Sequence, residues 1–204
     1  SDQTATGRRF RTLNLMDVFT RECLEIEVAT SLPGRRVVEV LNRLADSRNL
    51  PKSITVDNGP EFISHALDVW AYDKGVDLNF IRPGKPIENA FIESFNGHFR
   101  DECLNEHWFL DVPHAQKIIA DYRHAFNHRR PHSSLNNLTP IEFKQLYEAQ
   151  TSSANAPLTF RHYTARPLGG RPMSKAELAP DQITLEQKAD SPITTSAQLQ
   201  LSTD

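Results

Sequence analysis

Ser53-Ile54-Thr55-Val56-Asp57-Asn58-Gly59-Pro60-Glu61-Phe62 decides how this chain is read. The β-branched run Ile54-Thr55-Val56 predicts a short buried strand, and Asn58-Gly59-Pro60 predicts the turn that ends it. Asp57 therefore stands at a strand end, where a side chain leaves the sheet for a cleft. A second acidic residue, Glu93, follows 36 positions further on in Glu88-Asn89-Ala90-Phe91-Ile92-Glu93-Ser94-Phe95-Asn96-Gly97, a segment that reads as helix. A strand-end carboxylate facing a helix-borne one makes an oxygen-rich pocket of the kind Mg²⁺ prefers.

Outward from this pair the chain alternates strands and helices. Residues 8–30 read as a hairpin with its turn over Asp17-Val18-Phe19-Thr20-Arg21. Residues 35–48 read as an amphipathic helix with Val37, Val40, Leu41 and Leu44 on one face. Ser64 to Lys74 reads as a helix stopped by Gly75, and Val76 to Ile81 as an alternating strand. Pro83-Gly84-Lys85-Pro86 is a loop before the Glu93 helix. Pro113 to His128 is a further amphipathic helix carrying Ala115, Ile118, Ile119, Tyr122 and Phe126. The order ββ-α-β-α-β-α-α predicts an α/β layer fold with a mixed sheet flanked by helices.

On the Glu93 helix, Phe91, Phe95 and Phe99 are expected to pack on the sheet. Asn89, Glu93, Asn96, Gly97 and Arg100 are expected to face the cleft, with Arg100 two turns beyond Glu93 and in reach of a phosphate. Trp70 and Trp108 read as core anchors. His124, His128 and His132 lack a carboxylate or cysteine to complete a zinc set, and with Arg123, Arg129 and Arg130 they read as a solvated basic surface. Arg129 and Arg130 are candidates for a DNA or subunit contact.

The 204 residues suffice for one domain with a core and an addition. No apolar run approaches the roughly 18 residues of a membrane helix, and the chain shows no signal-peptide pattern. Cys23 and Cys103 are far apart, without metal-ligand spacing, which suggests buried reduced thiols in a cytosolic protein. The net charge of −3 is poor for a stand-alone DNA binder and suits a catalytic module whose DNA affinity comes partly from elsewhere. After Gln150, Thr, Ser, Ala, Pro and Gln dominate and periodicity is lost, which predicts a disordered tail over 151–204, native or the product of a shifted reading frame.

Taken together, Asp57–Phe62, Arg82–Pro86 and Glu88–Gly97 resemble the integrase-core signature of bacterial insertion-sequence transposases, specifically the second-frame subunit of their retroviral-integrase-like, DDE group. The resemblance continues through Arg100-Asp101-Glu102-Cys103-Leu104-Asn105, Asn127-His128-Arg129-Arg130-Pro131-His132-Ser133-Ser134-Leu135, Leu138-Thr139-Pro140 and Glu142-Phe143, and it covers about residues 2–148. It implies an RNase H-like fold over 1–110, a helical extension over 111–150 and two-metal, Mg²⁺-dependent cleavage and transfer of DNA strands. Asp57 and Glu93 would each hold a metal, and Lys85, Asn89, Asn96, Arg100, Arg129 and Arg130 would contact DNA. Insertion-sequence ends and target DNA are the implied partners, with a homo-oligomer or full-length transposase.

The family's first Asp lies on a strand before the hairpin, and this chain opens past it. Asp2, near the terminus, and Asp17, in a turn, are poor substitutes. The expectation is therefore a core lacking its first strand, with exposed edges, marginal stability and no catalysis alone. Two other readings remain open. One is a non-catalytic remnant that binds DNA or transposase and inhibits it. The other is a ribonuclease H-type nuclease sharing the fold, against which the Glu88–Gly97 and Asn127–Leu135 blocks argue.

Overall fold

The computed structural model describes residues 2–82, 90–152 and 196–201. The elements are β1 (Asp2–Gln3), β2 (Arg9–Asp17), β3 (Cys23–Ala29), α1 (Gly34–Ser47), β4 (Ser53–Val56), α2 (His65–Lys74) and β5 (Asp77–Phe80). They continue with α3 (Ala90–Phe99), a π-helical turn (Arg100–Leu104), α4 (Val112–Arg129), a 3-10 turn (Ser133–Leu135), α5 (Pro140–Ser152) and β6 (Ser196–Leu201). Local chemistry sets most of these bounds. In the β2–β3 turn, Asp17 Oδ1 accepts from the Phe19 and Thr20 N–H groups at 2.8 and 3.1 Å, the Asx-type bonding that favours Asp there. Ser64 caps α2, and Gly75 ends it with φ of +66°, a left-handed conformation glycine adopts without strain.

The sheet runs β3–β2–β6–β4–β5, with β1 pairing the start of β2. Side chains alternate across it, so each strand feeds two cores. Leu13 and Leu15 of β2 join Ile54 and Val56 of β4 beneath α1 and α2, where Val37, Val40, Leu41, Leu67 and Trp70 close the layer. Phe10 and Met16 of β2, with Ile26 and Val28 of β3, face Ile92, Phe95 and Phe99 of α3 and Ala115, Ile119 and Phe126 of α4. The result is an α/β sandwich with helices on both sides of a mixed sheet.

Three expectations need correction. Phe91 is 45 % exposed, with the Arg21 guanidinium 3.5 Å from its ring centre, and Ile92 is buried in its place. The reason is helical phase. At about 100° per residue, an i, i+4, i+8 stripe drifts round the helix, whereas Ile92, Phe95 and Phe99 at i, i+3, i+7 stay on one face. Trp70 is a core anchor whose Nε1 donates to Asn42 Oδ1 at 2.8 Å, but Trp108 is 76 % exposed.

The largest difference concerns the tail and the sheet centre. Ser196–Leu201, within the stretch expected to be structureless, forms β6, antiparallel to β2 and parallel to β4. β6 thus fills the central slot that the missing-strand reading left open, and the inner edges of β2 and β4 are paired. Its pattern suits the place. Ala197 and Leu199 register with Ile54 and Val56, and Leu199 and Leu201 with Leu15 and Leu13, so the apolar positions of Ser-Ala-Gln-Leu-Gln-Leu match the buried rows of both neighbours. The expectation for 153–195 lies outside the described residues, as does the Pro83–Pro86 loop.

Candidate nucleic-acid site

Asp57 leaves the sheet where β4 ends. Ile54 and Val56 point into the α1/α2 core, so the alternation carries Thr55 and Asp57 toward the side covered by α3. Asp57 is partly buried, and its Oδ1 accepts from the Gly59 N–H at 2.8 Å. Burial lifts its carboxyl above the ordinary carboxylate value, while the Gly59 bond and the Arg11 charge pull the other way. Arg11 also meets buried Glu61 at 3.5 Å. Gly59 is required by space: a Cβ there would lie 2.8 Å from Asp57 Oδ1 and 2.7 Å from Glu61 Oε1.

Glu93 lies on the exposed side of α3, away from the buried stripe. Asn96, one turn later, accepts at Oδ1 from Nδ2 of Asn14 at 2.7 Å. Asn14 is fully buried in β2, and its own Oδ1 has no partner among the described residues. This bond ties α3 to the sheet one turn from Glu93. Strand alternation alone would send Asn14 to either face, so its role was not visible before the fold.

The other candidates are dispersed. Arg100 opens the π turn and pairs with Asp2 at 3.2 Å. Arg130 is tied to Glu102 and lies 3.3 Å from His98 Nδ1, and the hydrogen bond from Arg130 holds the Glu102 carboxyl below its usual value. Arg129 is exposed at the end of α4. Lys85 and Asn89 lie outside the described residues. Arg123 departs from the solvated reading: it donates to the Leu24 carbonyl at 2.5 Å and meets Glu25 at 3.5 Å, joining α4 to β3. The His124 and His128 rings are stacked with centres 4.1 Å apart. Asn127, quoted above only as part of a motif, is buried, and its amide makes two 2.8 Å bonds to the Cys23 backbone.

The test for a divalent cation is therefore mixed. Asp57 and the Glu93 helix share one side of the sheet, the orphaned Asn14 Oδ1 adds an oxygen there, and oxygen donors suit Mg²⁺. Among the described residues, however, no three His, Cys, Asp or Glu side chains come together in a metal-holding group. The residues present fit such an ion only in part, and no reaction step is derived through it.

Two family models, both described as integrase core domain, match residues 2–86 and 74–140. A 31.7 kDa protein of insertion element IS407 from Burkholderia multivorans is 49 % identical over 160 residues, covering 78 % of this chain and 57 % of the relative. A 39.2 kDa protein of IS476 from Xanthomonas euvesicatoria is 44 % identical over 156 residues, covering 76 % of this chain and 45 % of the relative. The chain thus spans about half the length of these curated relatives. Among solved structures, the HTLV-2 integrase catalytic core domain, in complex with magnesium, superposes with a TM-score of 0.56 at 14 % identity, over 70 % of this chain and 90 % of that one. At that identity the likeness establishes the fold, RNase H-like. No helix among the described residues is long and apolar enough to cross a membrane. With both core models matching end to end over 2–140 and relatives of this identity in two insertion elements, the chain belongs to the integrase-core family of insertion-sequence transposases.

Proposed function

We propose that this chain handles DNA in transposition as part of a transposase core, that Asp57 and Glu93 are two of its metal-holding carboxylates, and that the 204-residue chain does not cleave DNA alone. The observation that carries the reading is the shared side of Asp57 and α3, with Asn14–Asn96 fixing the helix across the sheet. Mg²⁺, when bound in such a site, activates a water or hydroxyl and steadies the leaving oxygen. The chain's own part is to hold carboxylates and present cations. Asn96, Arg100, Arg129 and Arg130, with Lys85 and Asn89, would contact the DNA backbone. Such contacts are salt-dependent.

The completed sheet also supports a second reading: a folded copy that occupies DNA ends or joins full-length transposase without cutting, and so inhibits it. Assembly with further copies would pair two DNA ends. The test is a gel-shift and nicking assay on insertion-sequence end DNA, with and without Mg²⁺. The expected outcome is binding that weakens with salt and no nicking. Mg²⁺-dependent nicking by this chain would overturn the claim of inactivity, and absence of any DNA binding would overturn the DNA-handling role.

A further inference from the structure

The level of Asp57 forms a row across the sheet. β4 and β6 are in parallel register from Ser53↔Ser196 to Val56↔Leu199, so the next step sets position 200 beside Asp57. On the other flank Gln200 is the registered partner of Asn14. The row therefore reads Asn14, Gln200, Asp57, and α3 is tied over it through Asn96. Two features make this a site rather than a coincidence of register. Asn14 is fully buried yet leaves Oδ1 unpartnered among the described residues, a cost the fold retains. The strand between the two flanks, Ser196–Leu201, contains no acidic residue.

We propose that position 200 decides whether the cleft between Asp57 and α3 takes a divalent cation: Gln200 keeps the row one carboxylate short, and a carboxylate there would complete a site with Asp57, Glu93 and the Asn14 amide oxygen. β6 then completes the sheet structurally and leaves the site chemically incomplete. The physical basis is charge. Hard cations bind through oxygen, and affinity rises with the number of charged ligands, so a neutral amide between Asp57 and Asn14 leaves two carboxylates to offset the ion's dehydration. The inference rests on the reading of Asp57 and Glu93 as metal-holding carboxylates.

The experiment titrates Mn²⁺ into the full 204-residue chain and follows free ion by electron paramagnetic resonance, with thermal melting in parallel. The variants are Gln200→Asp, Gln200→Asn, Gln198→Asp, Asp57→Asn and the double Gln200→Asp/Asp57→Asn. Gln200→Asp is expected to tighten Mn²⁺ binding about tenfold or more, since a third charged ligand is added. Gln200→Asn and Gln198→Asp, one without charge and one a row away, are expected to leave it unchanged. The double variant is expected to lose the gain.

If Gln200→Asp binds no more tightly while Asp57→Asn still weakens the parent, the role of position 200 is wrong and that of Asp57 stands. If Asp57→Asn changes nothing in either background, the reading of Asp57 fails with it. A Gln200→Asp chain that folds only with Mn²⁺ supports the proposal. One that fails to fold with or without Mn²⁺, while Gln200→Asn folds, overturns it, because the added carboxylate then finds no cation.

Discussion

Burial lifts the Asp57 carboxyl above its ordinary value against the pull of the Gly59 N–H and Arg11, which sets the local demands of folding against keeping a charge at the strand end. A folded-state pKa above the unfolded one means the ionised form favours the unfolded chain. The cost is absent below the unfolded carboxylate value and grows as pH rises through the folded one. Asp57→Asn keeps the acceptor for Gly59 and removes the charge, so the variant should melt roughly 1–3 °C above the parent at about pH 7. The difference should vanish near about pH 3, where both side chains are neutral. Melting curves across that range check it; a variant less stable at neutral pH would mean that Asp57 is held by favourable charge contacts instead. Asp57 was legible in the sequence because a β-branched run into Asn-Gly-Pro fixes where a strand stops. Asn14 was not, because nothing inside Arg9–Asp17 marks one polar residue as buried.

Between elements, the joint of α4 and β3 depends on Asn127. Its Nδ2 donates to the Cys23 carbonyl and its Oδ1 accepts from the Cys23 N–H, so one side chain stands in for a strand partner at the start of β3. Arg123 and Gln116 extend the joint along the same strand, to the Leu24 and Val28 carbonyls. Asn127→Ala would strand two buried backbone groups, at a cost of about 2–4 kcal/mol. Urea unfolding should show this as a lower midpoint at unchanged slope. Asn127→Asp retains only the acceptor and should fall between the two. An alanine variant as stable as the parent would show that water replaces the amide. The helices were readable from apolar period and caps, and their bounds agree to within a residue or two. What the period did not reveal was which polar residues join helix to sheet, since a buried Asn and a solvated one look alike along the chain.

At the scale of the whole molecule, β2 and β4 do not pair with each other; each pairs with β6. The sheet's two halves are therefore joined by a strand from the far end of the sequence, the kind of long-range pairing that forms slowly because loop closure precedes its reward. This was the least legible part of the fold. Six residues of alternating Ala, Gln and Leu carry little strand signal, and only two facing edges with the matching register give them a place. Leu199→Pro removes an N–H from the centre of that ladder and introduces a ring that a central strand does not accommodate. If β6 is the joint, hydrogen exchange should quicken together in Ile54, Thr55 and Val56 of β4 and in Leu13 and Leu15 of β2, while α4 and the β2–β3 pairing keep most of their protection. Loss confined to Ser196–Leu201 would show instead that the two halves are held by their helices, with β6 laid onto a sheet that stands without it.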